Sequence, residues 1–193
     1  MAGLLSIILA FSFTLFHLFT NLEAKSINKD NHEFARSLDP KILNLKKEKL
    51  TQMTLYWHDL AEGQNQTSIV SVPPPTNTSA TLFGQIRVMD NPLTAKPYRR
   101  SKVIGRSQGL YAYASQEEFD LSMAMNFVFT EGEYNGSSFT MVGWNNVPAD
   151  VREMPIVGGT GIFRFARGYA KVTSYYFVYP IANIKFDAYV LHY

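Results

Sequence analysis

The chain has 193 residues, no cysteine and a formal net charge of +2, so a disulfide scaffold and thiolate chemistry are both excluded, and stability has to come from core burial and oligomerisation. The charge is uneven: residues 25–50 carry seven Lys/Arg (25, 29, 36, 41, 46, 47, 49) against four acids (30, 33, 39, 48), whereas residues 51–193 balance eleven against eleven. The basic character belongs to the leading segment, and the remainder has no nucleic-acid footprint.

Taken in chain order, Leu4 to Phe19 is almost wholly apolar and is followed by a polar run ending in Ala24. This reads as a secretory signal peptide over residues 1–24: the run is short for the roughly 20 residues of a spanning helix, and His17 interrupts it. No later stretch reads as a membrane span. Residues 25–50 read as a charged, solvated arm. Residues 51–193 hold all eleven Tyr, both Trp and nine of the Phe, material for one aromatic-rich domain.

Within that domain, short β-like runs alternate with turn signals and no apolar stripe recurs at helical spacing. Strands are expected at about Thr51–Asp59, Thr67–Val72, Phe83–Asp90, Val103–Ser115, Leu121–Thr130, Ser138–Trp144, Gly161–Ser174 and Asn183–Tyr193. Eight antiparallel strands would close an all-β barrel. The clearest alternation sets Leu121, Met123, Met125, Phe127 and Phe129 against Ser122, Ala124, Asn126, Val128 and Thr130. Either the greasy face fills the barrel, or it faces a subunit interface while the smaller face lines a cavity; eight strands leave room for packed side chains or one small ligand.

Pro73-Pro-Pro75 and Asn91-Pro92 read as breaks between strands, and Glu131-Gly-Glu-Tyr-Asn-Gly136 as a hairpin connection. Asn65, Asn77 and Asn135 each begin an N-glycosylation sequon in a turn-like context. Gly158, Gly159 and Gly161 surround Thr160 and predict a tight corner leading into a strand. A phosphate cradle is disfavoured there, because the P-loop lysine is missing and Phe163, Phe165, Tyr169 and Val172 do not follow a helical pattern.

Asp59 is the most suggestive polar residue. It follows Met53, Leu55 and Trp57 on one strand face, where desolvation would raise its pKa and equip it as a general acid; the competing reading is a strand-end turn cap before Gly63. Tyr111 and Tyr113 share a face, which suits either packing or the binding of a phenol. Arg152 and Glu153 precede the glycine corner, where surface ion pairs are the default, and Arg164 is expected on the strand face opposite Arg167. His17, His32, His58 and His192 have no metal-ligand spacing, and neither a nucleophile elbow nor a dinucleotide fingerprint is present. No cofactor or metal is expected. The residues alone lead to a secreted, aromatic-rich barrel that binds an apolar or phenolic molecule.

Several motifs occur in order across residues 50–193: His58-Asp59, Gly63-Gln-Asn65, Phe83-Gly84, Asn91-Pro-Leu-Thr94, Gly105-Arg-Ser-Gln-Gly-Leu-Tyr111, Phe127-Val-Phe-Thr-Glu-Gly-Glu-Tyr-Asn-Gly136, Val157-Gly-Gly-Thr-Gly161 and Ala166-Arg-Gly168. Together they resemble plant dirigent proteins. The resemblance implies an eight-stranded, allene-oxide-cyclase-like barrel, secreted to the apoplast, assembling as a homotrimer and holding a phenolic pocket. It implies no oxidase centre: a separate laccase or peroxidase makes monolignol radicals such as those of coniferyl alcohol, and the barrel sets the face on which they couple in lignan biosynthesis. By position, Asp59 and Arg152 are the implied catalytic pair, with Tyr111, Tyr113, Asn145 and Ser174 in the pocket. Asn145 stands where pinoresinol-forming members carry an aspartate, and Asn cannot serve as a carboxylate acid. Two alternatives stand beside coupling: a pterocarpan-synthase-like cyclase acting on a quinone methide without an oxidase, and a non-catalytic binder of phenols.

Overall fold

The computed structural model describes residues 35–76 and 78–193; the expected leader, the first part of the arm and Asn77 lie outside the described residues. The chain divides into a unit ending at Asn44 and a second unit, Leu45–Tyr193. In the first, the Asp39 carboxylate accepts a hydrogen bond from the Lys41 backbone N–H at 2.9 Å and starts one 3₁₀ turn, Pro40–Leu43, which Asn44 ends in the left-handed region at φ 45°.

The second unit is all-β, with strands β1 (Lys49–Leu60), β2 (Ser68–Val72), β3 (Ile86–Thr94), β4 (Val103–Tyr113), β5 (Asp120–Phe129), β6 (Ser138–Asn146), β7 (Arg152–Thr160), β8 (Arg167–Val178) and β9 (Ile181–His192). Eight form an antiparallel ring in the order β1, β9, β8, β7, β6, β5, β4, β3, closed where Tyr56 and Trp57 pair with Thr94 and Leu93. Closure removes the free edges that an open sheet of this size would expose. β2 pairs with the first half of β3, beside the point of closure.

The eight staves of the ring are not the eight expected. Residues 67–72, expected as a stave, form β2 outside the ring, and Arg152–Thr160 is a stave although Pro155, Gly158 and Gly159 weaken its β signal. Its periodicity is nevertheless that of a strand, with Arg152, Met154 and Ile156 buried and Glu153, Pro155 and Val157 exposed. The β6–β7 ladder runs from Ser138–Thr160 only to Met141–Ile156, so the missing N–H of Pro155 falls beyond it. Asn91 and Pro92 likewise do not break the chain. They lie within β3, where that strand's edge passes from β2, last paired at Met89, to β1, first paired at Leu93.

The greasy face of β5 fills the barrel: Met125 and Phe127 have no exposed surface. One half of the interior is an aromatic plug. Phe127 stacks on Phe139 with centroids 5.2 Å apart and meets Phe186 edge-on at 5.2 Å, and Phe163 packs on Phe129, Phe139, Tyr134 and His192. Each such side chain contributes roughly 1.5–3 kcal/mol by leaving water. The glycine-rich stretch serves this plug. It does not open a strand: it ends β7 and feeds a 3₁₀ turn, Gly161–Phe163, which carries Phe163 inward, and β8 starts only at Arg167. Arg164 consequently lies in the connection, not on a strand face. Gly161 takes φ +61°, and a Cβ on Gly159 would sit 2.5 Å from the Ser138 carbonyl oxygen and 2.6 Å from that of Phe163.

Candidate active site

At the other end of the barrel the interior is not filled. The C-terminal ends of β1, β4, β6 and β8 and the N-terminal ends of β5, β7 and β9 surround a cavity of about 80 Å³, or about 680 Å³ counted out through its mouth. Trp57, Tyr113, Phe119, Leu121, Phe186 and Met123 give it apolar walls, and Phe177, Tyr179 and Pro180 from the β8–β9 hairpin stand at it from one side. The Tyr179 hydroxyl donates to the Glu62 carboxylate on the β1–β2 connection.

Asp59 lines this cavity and is 7% exposed. It is not a turn cap; the period of two along β1 places Leu55, Trp57 and Asp59 together in the interior. The Tyr111 hydroxyl donates to Asp59 Oδ2 at 3.1 Å and lies 3.3 Å from Ser68 Oγ. Arg87, on the inner face of β3, donates through Nη2 to the carbonyls of Ser68 at 3.0 Å and Ala61 at 2.5 Å. Burial raises the Asp59 pKa above the ordinary carboxylate range, and the hydrogen bonds from Ser68 and Tyr111 and the charge of Arg87 oppose it only in part. Burial, reinforced by the Asp59 charge, likewise pushes the Tyr111 phenol well up, so it remains a donor. Tyr113 is raised by the same desolvation; its ring lies 6.0 Å from that of Tyr111 and 5.3 Å from Phe119.

Arg152 is not a surface residue. It is 5% exposed, lines the cavity from β7 and donates through Nη1 to the Val147 carbonyl at 3.1 Å. Its Nε and Nη2 have no partner, and burial lowers its pKa from the ordinary arginine value. An unmatched buried donor costs about 1–3 kcal/mol. Asn145, on β6, donates to Met123 Sδ at 3.1 Å and leaves its Oδ1 unpartnered. In ring order β6 stands opposite β1, so Asp59 and Asn145 enter the cavity from opposite sides.

Ser174 does not join them. It is exposed and does not line the cavity, although its ladder partner Ile184 does; past the bulge between Ser174 and Tyr176, Phe177 takes the inward place. Asn65 and Asn135 are exposed in connections, Asn65 at φ 63°. Glu153 is exposed on β7. Sequence reasoning passed over Arg87 and Ser68, although the alternation of Arg87, Met89, Asn91 and Leu93 on β3 marks Arg87 as inward-facing. Among the described residues, no group of three His, Cys, Asp or Glu side chains is placed to hold a metal, and no helix is long and apolar enough to cross a membrane.

Comparison with known proteins gives one consistent answer. A family model described as Dirigent-like protein matches residues 50–191. The chain is 43% identical to Dirigent protein 7 of Arabidopsis thaliana over 86% of this chain and 89% of that protein. It is 40% identical to Pterocarpan synthase 1 of Glycyrrhiza echinata over 83% of this chain and 87% of that protein. The solved structure of the pterocarpan synthase dirigent protein GePTS1 superposes with a TM-score of 0.76 at 39% identity, over 82% of this chain and 99% of that one.

Proposed function

Since the chain belongs to the dirigent family, we propose that its barrel binds a phenol and steers, without an oxidant, the ring closure of a quinone methide derived from it. The observation that carries this is a carboxyl held above its ordinary pKa in the same apolar cavity as an unpartnered guanidinium. A general acid and a cationic hydrogen-bond donor are what loss of water from a hydroxylated benzylic carbon requires. The similarity to pterocarpan synthases supports the same reading.

One phenolic ring of an isoflavanol enters the cavity beside Trp57 and Tyr113. Asp59 gives its proton to the benzylic hydroxyl, whose C–O bond breaks and releases water. The phenol conjugated with that carbon loses its proton to solvent and becomes the quinone-methide carbonyl, its oxygen held by Arg152 Nε and Nη2. A second phenolic oxygen of the same molecule adds to the methide carbon and yields its proton to Asp59, while the first oxygen regains one from solvent. One C–O bond is lost and one formed, water leaves, and no electrons are exchanged with the surroundings. The cavity walls fix which face is attacked, and holding the reacting atoms in contact supplies much of the rate.

The aromatic lining favours a second reading on the same cavity: coupling of monolignol radicals supplied by a separate laccase or peroxidase. There one ring occupies the enclosed part and the partner radical approaches through the mouth. Secretion to the cell wall, glycans on Asn65, Asn77 and Asn135, and assembly as a homotrimer belong to both readings. Two reactions separate them, each followed by chiral chromatography: a 2′-hydroxyisoflavan-4-ol without oxidant, and coniferyl alcohol with a one-electron oxidant. Enantiomeric excess in the first supports ring closure, excess only in the second supports radical coupling, and racemic product in both overturns the two together.

A further inference from the structure

A second recess lies on the outside of the barrel. Its floor is His58 and Asn183, which face each other across the β1–β9 ladder. One wall is the connection after β3, with Tyr98, Arg99 and Arg100; the other is the end of the β8–β9 hairpin, with Tyr175, Tyr176 and Ile181. The recess is open to solvent and measures about 450 Å³. Asp59 is the one acidic residue along its lining, and its carboxyl is bonded to Tyr111 on the interior side of β1.

The site is built. The Thr94 hydroxyl donates to the Lys96 carbonyl at 2.6 Å and lies 2.8 Å from His58 Nε2, and Asn183 Nδ2 donates to the Pro97 carbonyl at 2.5 Å. The Ser101 N–H closes a turn on the Tyr98 carbonyl at 2.8 Å. Two contacts from the barrel, at the Lys96 and Pro97 carbonyls, and one internal turn thus hold the basic segment Lys96–Lys102 in place. Among the described residues neither Arg99 nor Arg100 has an acidic partner within salt-bridge distance. Tyr98, Tyr175 and Tyr176 keep 69%, 55% and 49% of their surfaces exposed. Tyr175 packs edge-on against Tyr56 at 5.8 Å, and the open faces of the three rings border the two arginines.

We propose that this recess binds an acidic oligosaccharide, a short run of uronic acid residues, independently of the phenolic cavity. Arginine forks match carboxylates in bidentate geometry. Tyrosine rings supply flat apolar faces for the C–H faces of a sugar and a hydroxyl for its rim. The recess is open along its length and larger than one pyranose ring needs, so the occupant is an oligomer and not a lone carboxylate. Tyr176 borders the recess and Phe177 the phenolic cavity, so the outer ligand touches the hairpin that forms part of the inner mouth.

The test is calorimetric titration of the whole protein with the trimer of galacturonic acid, with galactotriose and with benzoate, at two salt concentrations. The expected result is saturable, salt-sensitive binding of the acidic trimer alone, reduced at least tenfold in the double variant Arg99→Gln/Arg100→Gln and in Tyr98→Ala. Both variants keep the chemistry of the phenolic cavity, which they do not touch. Equal binding of the neutral trimer, preferential binding of benzoate, an unchanged isotherm in the double variant or no binding by the folded parent each overturns the proposal.

Discussion

Replacing Asp59 by asparagine separates two consequences of burying a carboxyl. Burial raises the Asp59 pKa against the opposing hydrogen bonds of Ser68 and Tyr111 and the charge of Arg87. A carboxyl that holds its proton more tightly in the folded than in the unfolded chain contributes its full stability below the unfolded value, near 3.9, and that contribution is lost as pH rises through the folded value. At neutral pH the native protein therefore bears a cost that the unfolded chain, whose Asp59 ionises freely in water, escapes. The Asp59→Asn variant would not, while its amide oxygen still accepts the Tyr111 hydrogen bond. Each tenfold displacement of that protonation equilibrium is worth about 1.4 kcal/mol, which moves Tm by roughly 3–6 °C for a domain of this length. Scanning calorimetry of both proteins from pH 3.5 to 8 should show the variant more stable than the parent at pH 7, with the gap closing towards pH 3.5. Ring-closure turnover should fall by about 10²–10⁴-fold, as expected for loss of a general acid. A variant less stable than the parent at pH 7, or one retaining turnover within threefold, would refute the assignment of Asp59 as a destabilised, protonatable acid.

Tyr111→Phe removes a hydrogen bond that favours the ionised form of Asp59, so the limb of the pH–rate profile set by this carboxyl should move to higher pH; an unmoved limb would detach Tyr111 from the acid. Arg152→Met deletes two buried donors without partners, and denaturant unfolding should show unchanged stability or a gain of up to about 2 kcal/mol, with ring closure lost. Phe127→Ala opens the plug where Phe139 and Phe186 pack at 5.2 Å; it should cost about 3–5 kcal/mol in urea unfolding and, because Phe186 also walls the cavity, weaken ligand selectivity there.

The barrel was legible because its strands alternate cleanly: β5 reads Leu121, Met123, Met125, Phe127, Phe129 inward, and the structure buries each of them. β7 was not, because Pro155, Gly158 and Gly159 mask a period that only its neighbours in the ladder make plain. Asp59, Tyr111 and Tyr113 could be placed on an inner face by counting in twos. Arg152 could not, since its strand was missing from the reading and an arginine beside a glutamate suggests the surface. Ser174 stays exposed although its ladder partner Ile184 lines the cavity, and the bulge that follows it is a backbone event with no side-chain signature, which turns Phe177 rather than Tyr176 to the cavity. Nor does sequence spacing show the recess at Tyr98–Arg100, whose far wall comes from residues 175–181, two to three strands round the ring.

The central claim is that the carboxyl of Asp59 is held above its ordinary range inside the cavity. ¹³C NMR titration of the Asp side-chain carbonyls, assigned by the loss of one signal in Asp59→Asn, measures this without reference to substrate. The account predicts that this signal has its midpoint above about 3.9 and that adding a phenolic ligand, which excludes more water from the cavity, moves it further up. A midpoint at or below the ordinary value, with or without ligand, would contradict it.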